Sequence, residues 1–472
     1  MSILAALDDP ELLGGIVRKP ETFRAWRAFL ASLFGLPMSD DEEEIFRECT
    51  GRVTAPTVAF AVAWLVIGRR GGKSFVLALI AVFLAASGDY APYLAPGERG
   101  TILITAVDRK QARTIFRYIK GILRRVPTLA EMIERETADS FDLDNDITIE
   151  VGTASFRTVR GYTIVCFLGD EAAFWAGDDS AAPDVELIAA VRPAMSTIPN
   201  AMMLIASSPY ARKGILWEAH RKYFGIDDAP ELVWQAPTKV MNPTVPDSLI
   251  KSAYEDDPAS ADAEYGANFR SDVASYVSAE ALAAVIDVGI FERMRFHDQR
   301  YTAFIDPAGG SGSDAMTLAV SHMYGGLAVL DCIREIRPPF SPQDVVVEFA
   351  TLLASYGIKQ IVGDRWGGKW VRQPFEAHGI AYELAELPKS AIYQSCLPLI
   401  NSRKCVLLDN ARMASQFTGL ERRTARNSRD SIDHAPNGHD DIANAVAGAL
   451  VAAVNYVAPT PSRFVRFDYI SR

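Results

Sequence analysis

A ten-residue apolar run that leads directly into a glycine-rich turn constrains the fold of this chain more than any other feature. The run is Val58 to Ile67, the turn is GRRGGKS at 68–74, and a second apolar run, Phe75 to Ala86, follows. A continuous apolar run predicts a strand that is buried on both faces of a parallel sheet. The second run predicts a helix, so the turn would join a buried strand to the amino end of a helix.

Strand and helix patterns continue to alternate along the first half of the chain. Asp108 precedes a predicted helix that ends near Arg125. Further strand candidates are TILITA at 101–106, ITIEV at 147–151, TIVCFLGDE at 163–171 and MMLIASS at 202–208. This alternation indicates βαβ units and a mostly parallel sheet. We therefore predict a first α/β domain, with an N-terminal extension, over residues 1–240.

The strand pattern stops near residue 240 and resumes near residue 300. The polar, proline-containing segment 241–298 predicts a small lid or linker subdomain. A second α/β domain is predicted over 299–457, followed by a tail at 458–472. Its predicted elements are the strands 301–306, 315–323 and 327–336, a helix at 341–356, the strand KQIVGD at 359–364, further helical segments, and a buried terminal helix at 440–456.

Composition and charge exclude several classes of protein. Of the 472 residues, 49% are hydrophobic and 23% are charged, which excludes a largely disordered chain. The net charge of −11 excludes an overall basic field, so any contact with nucleic acid must come from local patches. The five scattered cysteines lack a CxxC pair, and the longest apolar run is too short to span a bilayer. We expect a soluble cytoplasmic protein without a membrane partner.

The glycine turn is a candidate phosphate-binding loop. Gly71 and Gly72 would let backbone N–H groups surround phosphate oxygens at a helix amino end, where an anion is favoured. Lys73 would reach the β- and γ-phosphates of ATP, and Ser74 would hold Mg²⁺. The full GxxxxGK[ST] spacing is not met, because position 67 is isoleucine. The alternative is an ordinary glycine turn with a surface lysine.

The predicted strand at 163–171 ends in two carboxylates. Asp170 would bind the Mg²⁺ of the nucleotide, and Glu171 would polarise the attacking water, because an α/β sheet presents ligand groups at the carboxyl ends of its strands. The alternative is a helix-capping Asp-Glu pair. Cations near these pieces could stabilise phosphoryl transfer or form surface salt bridges: Arg69, Arg70, Arg157 and Arg160.

Two groups of basic residues are candidates for DNA contact. One follows a single face of the helix that ends near residue 125, at steps of three or four: Arg109, Arg113, Arg117, Lys120 and Arg124. The other lies before His434: Arg422, Arg423, Arg426 and Arg429. Each group could track a phosphate backbone, or could simply be a solvated surface.

Acidic residues in the second domain form a candidate metal site. Asp306 and Asp364 end predicted strands, and Asp440 and Asp441 begin the terminal helix. Hard oxygen ligands of this kind suit two Mg²⁺ or Mn²⁺ ions, which promote phosphodiester hydrolysis. Asp314, in the turn after Asp306, is a weaker candidate. Each aspartate taken singly is an ordinary turn or capping residue.

The joint order of these motifs resembles the large terminase subunit of tailed bacteriophages over roughly residues 20 to 455. The segments that carry the resemblance are GRRGGKS (68–74), FLGDEAAFW (167–175), IASSP (205–209), FIDPAGG (304–310), VGDRWGG (362–368) and HDDIANAVAGAL (439–450). The resemblance implies an ASCE-type P-loop ATPase domain with a mostly parallel sheet, linked to an RNase H-like nuclease.

The resemblance also implies roles for single residues. Arg69 or Arg70 would be the phosphate-loop arginine, and Arg160 would be offered to the ATP of a neighbouring subunit. Ser207 and Ser208 match the motif that couples hydrolysis to movement. The nearest match to the adenine-contacting pair of the family is Trp26-Arg27.

The activity implied by the resemblance is ATP-driven packaging of double-stranded viral DNA, with metal-dependent cutting of the concatemer. The implied partners are a portal protein, a small terminase subunit and further copies in a ring of five. The implied location is the host cytoplasm, transiently at the procapsid portal and not in the mature virion. Two alternatives stay open: a helicase-like or repair ATPase–nuclease that acts without a capsid, and an inactive assembly component.

Overall fold

The chain forms two compact units. The computed structural model describes residues 1–107, 109–153, 159, 161–175, 183–364, 368–424, 430–436 and 438–455. The first unit comprises Met1–Ala274 and Arg423–Arg429, and the second comprises Ser275–Arg422 and Asp430–Arg472. This division splits the predicted segment 241–298 between the two units at Ala274, and the predicted tail at 458–472 lies outside the described residues.

The first unit is an α/β fold. Its helices are α1 (Ile3–Asp8), α2 (Arg24–Phe34), α3 (Asp40–Thr50), α4 (Lys73–Ser87), α5 (Arg109–Arg125), α6 (Pro127–Glu131), α7 (Pro183–Met195), α8 (Gly214–Tyr223), α9 (Thr238–Met241), α10 (Asp247–Asp256) and α11 (Pro258–Glu264). Its sheet strands are β1 (Val62–Ile67), β2 (Gly100–Ala106), β3 (Ile133–Glu136), β4 (Ser140–Leu143), β5 (Ile147–Thr153), β6 (Thr163–Asp170), β7 (Met202–Ser207) and β8 (Leu232–Ala236).

These eight strands form one sheet in the order β3-β4-β5-β2-β6-β7-β1-β8. From β5 to β8 all neighbours are parallel, and β3 and β4 form an antiparallel edge. Strands β1, β2, β6 and β7 are apolar and almost wholly buried, because apolar clusters pack on both faces of the sheet. The predicted mostly parallel sheet is confirmed.

The first predicted strand is wrong over its first four residues. β1 begins at Val62, and Val58 is 74% exposed. The backbone N–H of Phe60 donates to Leu33 O of α2, at 2.9 Å, instead of to a neighbouring strand. Strands β3, β4 and β8 were not predicted, since four- or five-residue strands offer too few positions for a clear period.

The segment after β8 is joined to the glycine turn by hydrogen bonds. Arg69 N donates to Glu264 O, and the hydroxyl of Thr238 donates to Arg69 O at 2.8 Å. The amide of Asn242 donates to Arg70 O at 2.8 Å. These contacts connect α9, Asn242 and α11 to the glycine turn, and all three helices after β8 belong to the first unit.

The second unit is also an α/β fold. Its helices are α12 (Ala279–Ala283), α13 (Pro342–Tyr356), α14 (Gly368–Ala377), α15 (Lys389–Asn401), α16 (Ala411–Gly419) and α17 (Asp441–Asn455). The strands after the first sheet are β9 (Val273–Ser275), β10 (Ile286–Asp287), β11 (Tyr301–Asp306), β12 (Met316–Tyr324), β13 (Leu327–Ile336), β14 (Gln360–Gly363), β15 (Ala381–Leu384), β16 (Cys405–Leu408), β17 (Leu420–Arg423) and β18 (Ser431–His434).

Seven of these strands form a mixed sheet in the order β10-β16-β13-β12-β11-β14-β15. β11, β12 and β13 form the predicted antiparallel meander, and β14 and β15 continue the sheet in parallel beside β11. This is the strand arrangement expected of the RNase H-like domain. A separate three-stranded sheet has the order β18-β17-β9.

In the described residues after 364, the prediction that helical segments dominate is confirmed by α14, α15, α16 and α17, but the short strands between them were missed. That part of the chain also contributes β15, β16, β17 and β18, each only four residues long. Such short strands depend on pairing with distant segments, which the local sequence does not display.

Helix α17 packs directly on the meander. It is apolar and buried over most of its length. A Cβ at Gly448 would collide with the ring of Phe304 in β11. The glycine therefore allows the helix to approach the strand closely, which sets the position of the amino end of α17.

Among the described residues, no helix is long and apolar enough to cross a membrane.

Candidate active sites

The first candidate site is formed by the glycine loop, defined as Gly68–Ser74, and by the strand ends beside it. Gly72 caps α4 with φ of 99°, a conformation that glycine adopts without strain. A Cβ at this position would lie 3.1 Å from the indole nitrogen of Trp26. That nitrogen donates to Gly71 O at 3.0 Å. Gly72 is thus required for two reasons: the turn needs its positive φ, and a side chain at this position would crowd the buried tryptophan.

Lys73 is buried and directed along the carboxyl edge of the sheet. Its Nζ donates to Ile67 O and to the hydroxyl of Ser208, each at 2.9 Å. Glu171 Oε1 lies 4.0 Å from the same nitrogen. The ammonium group therefore joins the end of β1 to the residues that follow β6 and β7.

Ser74 and the acidic pair complete this network. The hydroxyl of Ser74 donates to Asp170 Oδ2 at 2.9 Å. Burial, with a further contribution from the charge of Glu171, raises the pKa of Asp170 to about 6. Glu171 has φ of 53° and accepts a hydrogen bond from the hydroxyl of Ser207 at 3.2 Å. The structure thus brings together the predicted residues Lys73, Ser74, Asp170, Glu171, Ser207 and Ser208.

The strand order also fits the predicted ASCE-type arrangement. That arrangement requires one strand between the strand of the phosphate loop and the strand of the acidic pair. Here β7 lies between β1 and β6 and pairs in parallel with both. Its carboxyl end places the two serines between the lysine and the carboxylates.

The predicted arginines and the tryptophan near the glycine loop differ in exposure and in partners. Arg69 is paired with Glu264 at 3.0 Å, and Arg70 is exposed with φ of 65°. Trp26 is 2% exposed beneath the loop, so it supports the loop and is not an open surface for adenine. Arg27, its neighbour, is paired with Asp8 at 2.7 Å. The predicted residues Arg157 and Arg160 lie outside the described residues.

The second candidate site, called the carboxylate site, consists of Asp306, Asp364 and Asp441. Asp306 ends β11 and Asp364 follows β14, and these parallel strands bring their carboxyl ends to one sheet edge. Asn444 Nδ2 donates to Asp306 Oδ2 at 3.0 Å and to Asp364 Oδ2 at 3.2 Å. One amide nitrogen therefore bridges the two predicted catalytic carboxylates.

Burial and neighbouring negative charges raise the pKa values of Asp306 and Asp441. Burial is the main cause that raises the pKa of Asp306 well above its ordinary value, and nearby carboxylates add to it. Burial likewise raises the pKa of Asp441 to about 6, although its Oδ2 accepts a hydrogen bond from Ala315 N at 3.1 Å. A divalent cation would relieve this repulsion, so the site has the donors and the electrostatics that Mg²⁺ or Mn²⁺ requires.

Asp440 has partners different from those of Asp441. Its Oδ2 lies 3.0 Å from Lys389 Nζ and accepts a hydrogen bond from the hydroxyl of Tyr393 at 2.8 Å. Asp440 lies just before the first residue of α17, and the hydrogen bond from Ala315 N goes to Asp441. In the described parts of the chain, one trio of His, Cys, Asp or Glu has all its ligand atoms within 4.8 Å: Asp433, His434 and Asp440. Lys389 already supplies a cation there, since it also donates to Asp433.

The weaker candidate, Asp314, is exposed and lies 3.7 Å from His439. Its negative charge nevertheless contributes to the raised pKa of Asp441. The turn after β11 therefore brings Asp314 near the carboxylate site.

Several of the predicted DNA-binding cations are paired within their own unit. Arg113 is paired with Asp139, while Lys120 and Arg124 are both paired with Glu136 at 2.5 Å. Arg117 donates to Thr114. The side chain of Arg109 and all of Arg426 and Arg429 lie outside the described residues. In the other group, Arg422 is paired with Asp430, and Arg423 also has partners.

Sequence reasoning missed the residues that hold the carboxylates in place. Asn444 was detectable in principle, because it is three residues after Asp441 and therefore shares its helix face. Gln416 was not detectable: its Oε1 accepts hydrogen bonds from Ile442 N and Ala443 N at the start of α17. Lys389 and Tyr393 also lie far from Asp440 in sequence.

Fold and site together define a class of α/β proteins in which one unit carries a P-loop-like phosphate cradle and another has an RNase H-like sheet with an acidic edge. No family model and no curated protein matches the chain. Among solved structures, the large terminase of bacteriophage HK97 is 15% identical with a TM-score of 0.39, over 91% of this chain and 100% of that chain.

Two further solved structures show the same kind of likeness. The large terminase of a thermophilic bacteriophage is 9% identical with a TM-score of 0.37, over 92% of this chain and 98% of that chain. The large terminase nuclease of another thermophilic phage, G20c, with bound magnesium is 19% identical with a TM-score of 0.32, over 37% of this chain and 96% of that chain. Two of these three structures are large terminases, and the third is a large terminase nuclease.

Proposed function

We propose that the chain is an ATP-driven motor that moves double-stranded viral DNA into a procapsid and cuts the concatemeric genome in a metal-dependent reaction. One observation carries the proposal. A single chain holds a buried Lys73–Ser208 and Ser74–Asp170 network beside a glycine loop, and a pair of carboxylates bridged by Asn444 at an RNase H-like sheet edge. The first arrangement suits phosphoryl transfer from ATP, and the second suits hydrolysis of a DNA phosphodiester.

In the first unit, Lys73 would exchange Ser208 for phosphate oxygens when ATP binds. Ser74 and Asp170 would hold Mg²⁺, which neutralises charge on the phosphates. Glu171 would orient a water molecule and accept its proton as the water oxygen attacks the γ-phosphorus. The bond from that phosphorus to the bridging oxygen breaks, and ADP and phosphate are released. Arg160 of a neighbouring copy would stabilise the charge of this transition state.

Ser207 and Ser208 would couple this reaction to movement. Ser207 donates to Glu171, and Ser208 accepts from Lys73. Loss of the γ-phosphate would therefore change the partners of both serines at the end of β7. Such an exchange of hydrogen-bond partners would convert hydrolysis into displacement of a strand end.

In the second unit, Asp306 and Asp364 would hold a first Mg²⁺ or Mn²⁺, and Asp441 would contribute to a second. The bound cations would lower the pKa of a water molecule and stabilise the leaving oxygen. The water oxygen attacks the phosphorus and one P–O ester bond breaks, leaving one hydroxyl end and one phosphate end. By holding the cations, Asp306, Asp364 and Asp441 would fix where the attacking water and the leaving oxygen are stabilised.

The proposal extends to partners and location. We expect the chain to act in the host cytoplasm as a ring of five at the portal of a procapsid, with a small terminase subunit that selects the genome, and to be absent from the mature virion. The candidate DNA contacts are the basic stripe of α5 and the arginines near residues 422–426. Weak, local contacts of this kind suit a protein of net charge −11 that must slide along DNA.

The test compares two activities in one purified chain. We expect plasmid cleavage with Mn²⁺ or Mg²⁺ that Asp306→Asn and Asp364→Asn abolish, and ATP hydrolysis that Lys73→Ala abolishes while cleavage persists. Equal cleavage by all the variants would contradict the nuclease proposal. ATP turnover that rises on addition of procapsids bearing the portal would favour the packaging motor over a repair ATPase–nuclease, which should not respond.

A further inference from the structure

Asn444 is a buried amide with unequal surroundings at its two polar atoms. Its side chain is 1% exposed, and its Nδ2 bridges Asp306 and Asp364. Its Oδ1 is also buried and has no hydrogen-bond partner in the part of the chain that the structure describes. Buried polar atoms in folded proteins are nearly always paired. The unpaired oxygen therefore indicates a ligand that the described residues do not supply.

The position of the amide suggests what that ligand is. Its NH2 group carries partial positive charge and contacts one oxygen of each carboxylate, so it occupies a point that favours a cation. A half-turn about the Cβ–Cγ bond would exchange Nδ2 and Oδ1. Without a cation, that rotation would place three acceptor oxygens together. With a divalent cation among them, the same three oxygens become ligands of the hard type that Mg²⁺ and Mn²⁺ prefer.

We propose that Asn444 supplies an oxygen ligand to a divalent cation held by Asp306 and Asp364, and that its NH2 group takes the place of the cation when none is bound. This inference rests on the proposed nuclease function and deepens it. It assigns the cation a third protein ligand, and it makes the metal-free state a defined arrangement held by two hydrogen bonds.

The summed charge of Asp306, Asp364 and Asn444 predicts how many divalent cations bind tightly. Asp306 and Asp364 together carry a formal charge of −2 when ionised, and the amide is neutral, so one divalent cation balances the set. Asp441 lies one helical turn before Asn444, and its Oδ2 is already held by Ala315 N. A second cation would have to compete with that hydrogen bond. We therefore expect one tight and one weak cation per chain.

The first experiment measures cation binding and not cleavage. Mn²⁺ is titrated into the full-length chain, and free Mn²⁺ is followed by electron paramagnetic resonance. We expect one tight ion for the wild type and affinity weaker by about tenfold or more for Asn444→Ala, the range found when groups that orient metal ligands are removed. Asn401→Ala, at an exposed position of α15, is the matched control and should bind Mn²⁺ as the wild type does.

A second variant keeps the test decisive if Asn444→Ala folds poorly. Asn444→Asp preserves the shape of the side chain but adds a third carboxylate. We expect this variant to melt at a lower temperature than the wild type in EDTA, to bind Mn²⁺ more tightly, and to recover its melting temperature when Mn²⁺ is added. A merely structural role for Asn444 would lower stability without changing Mn²⁺ affinity.

The outcomes separate this inference from the function on which it rests. Equal Mn²⁺ affinity in the wild type, Asn444→Ala and Asn444→Asp would overturn the role of Asn444 while leaving the nuclease proposal in place. Failure of the wild-type chain to bind Mn²⁺ at all would overturn the metal-dependent nuclease and this inference with it.

Discussion

At the scale of single residues, the indole of Trp26 is the clearest link between the N-terminal helices and the glycine loop. Its hydrogen bond to Gly71 O is buried, and its ring lies against Gly72. We expect Trp26→Phe to cost about 1 kcal/mol of stability, the usual value of one hydrogen bond. We also expect the KM for ATP to rise more than kcat falls, because a looser loop binds phosphate less well.

The matched control for that prediction is Trp217→Phe. Trp217 packs against His220 and Phe269 and has no contact with the loop among its ring contacts. Steady-state ATP hydrolysis and thermal melting of both variants provide the measurement. An unchanged KM in Trp26→Phe would contradict a role for the indole in shaping the loop.

Asp441 provides a second prediction at this scale. Burial raises its pKa from 3.8 to about 6, so the folded state binds a proton more tightly than the unfolded state does. Its ionisation therefore costs stability as the pH rises from about 4 to 6. In EDTA, Asp441→Asn should be more stable than the wild type by about 3 kcal/mol above pH 7. The advantage should shrink towards pH 4.

Chemical denaturation across this pH range checks the prediction. Asp298→Asn, in an exposed loop, is the control and should show no comparable change. A stability difference that stays constant from pH 4 to pH 8 would exclude ionisation of Asp441 as its cause.

At the scale of elements, the contact between α17 and β11 positions the carboxylate site. Gly448→Ala would normally favour a helix, but here the added Cβ collides with Phe304. We expect a loss of about 1–3 kcal/mol of stability from overpacking. DNA cleavage should fall because Asp441 and Asn444 move away from Asp306, while ATP hydrolysis in the other unit is retained.

Gly419→Ala is the matched control, since nothing lies within 4 Å of a Cβ at that position near the end of α16. Thermal melting and both activity assays distinguish the two glycines. Full cleavage activity in Gly448→Ala would show that the site does not depend on this close approach.

The edge strand β3 provides the second prediction for an element. Glu136 is paired with both Lys120 and Arg124 of the predicted DNA-binding stripe on α5. Glu136→Gln would free both cations, so binding to duplex DNA should strengthen. The slope of the logarithm of affinity against the logarithm of salt concentration should become more negative by about 1–2. Fluorescence anisotropy with labelled DNA at several salt concentrations measures both effects.

Glu131→Gln removes the same charge from an exposed position at the end of α6 and is the control. An identical gain in both variants would indicate a general effect of net charge. A gain confined to Glu136→Gln would support the stripe as a DNA contact.

At the scale of the whole molecule, each unit has hydrophobic clusters of its own. A ligand stabilises the structure to which it binds. In differential scanning calorimetry we expect two transitions: one that rises when a non-hydrolysable ATP analogue is added to protein already in Mg²⁺, and one that rises with Mn²⁺ in the absence of nucleotide. Lys73→Ala should abolish only the first shift, and Asp306→Asn only the second. One transition shifted equally by both ligands would contradict this assignment.

The sequence predicted those parts of the fold that depend on local patterns. Runs of neighbouring residues were enough to predict three features: the strand–glycine loop–helix unit, the acidic pair at the end of β6, and the three-stranded meander. Asp306 and Asp364 were predicted at strand ends, and the parallel pairing of β11 and β14 places them at one edge. Short strands such as β3 and β17 were not predictable, because their stability comes from segments far away in the chain.

Local sequence patterns were enough to predict the reactive groups and the order of the elements that carry them: Lys73 after the glycines, Asp170 and Glu171 at the end of β6, and Asp306 and Asp364 in the second unit. Which of these groups contact one another depends on the packing of the whole chain. In the folded chain, Trp26 is buried under the loop, and Glu136 is paired with Lys120 and Arg124 of the α5 stripe. Asp440 is paired with Lys389, and Asn444 lies between two carboxylates. The physical reason is that hydrogen bonds and ion pairs depend on distances of a few ångströms between residues that are remote in sequence, and local periodicity contains no information about those distances.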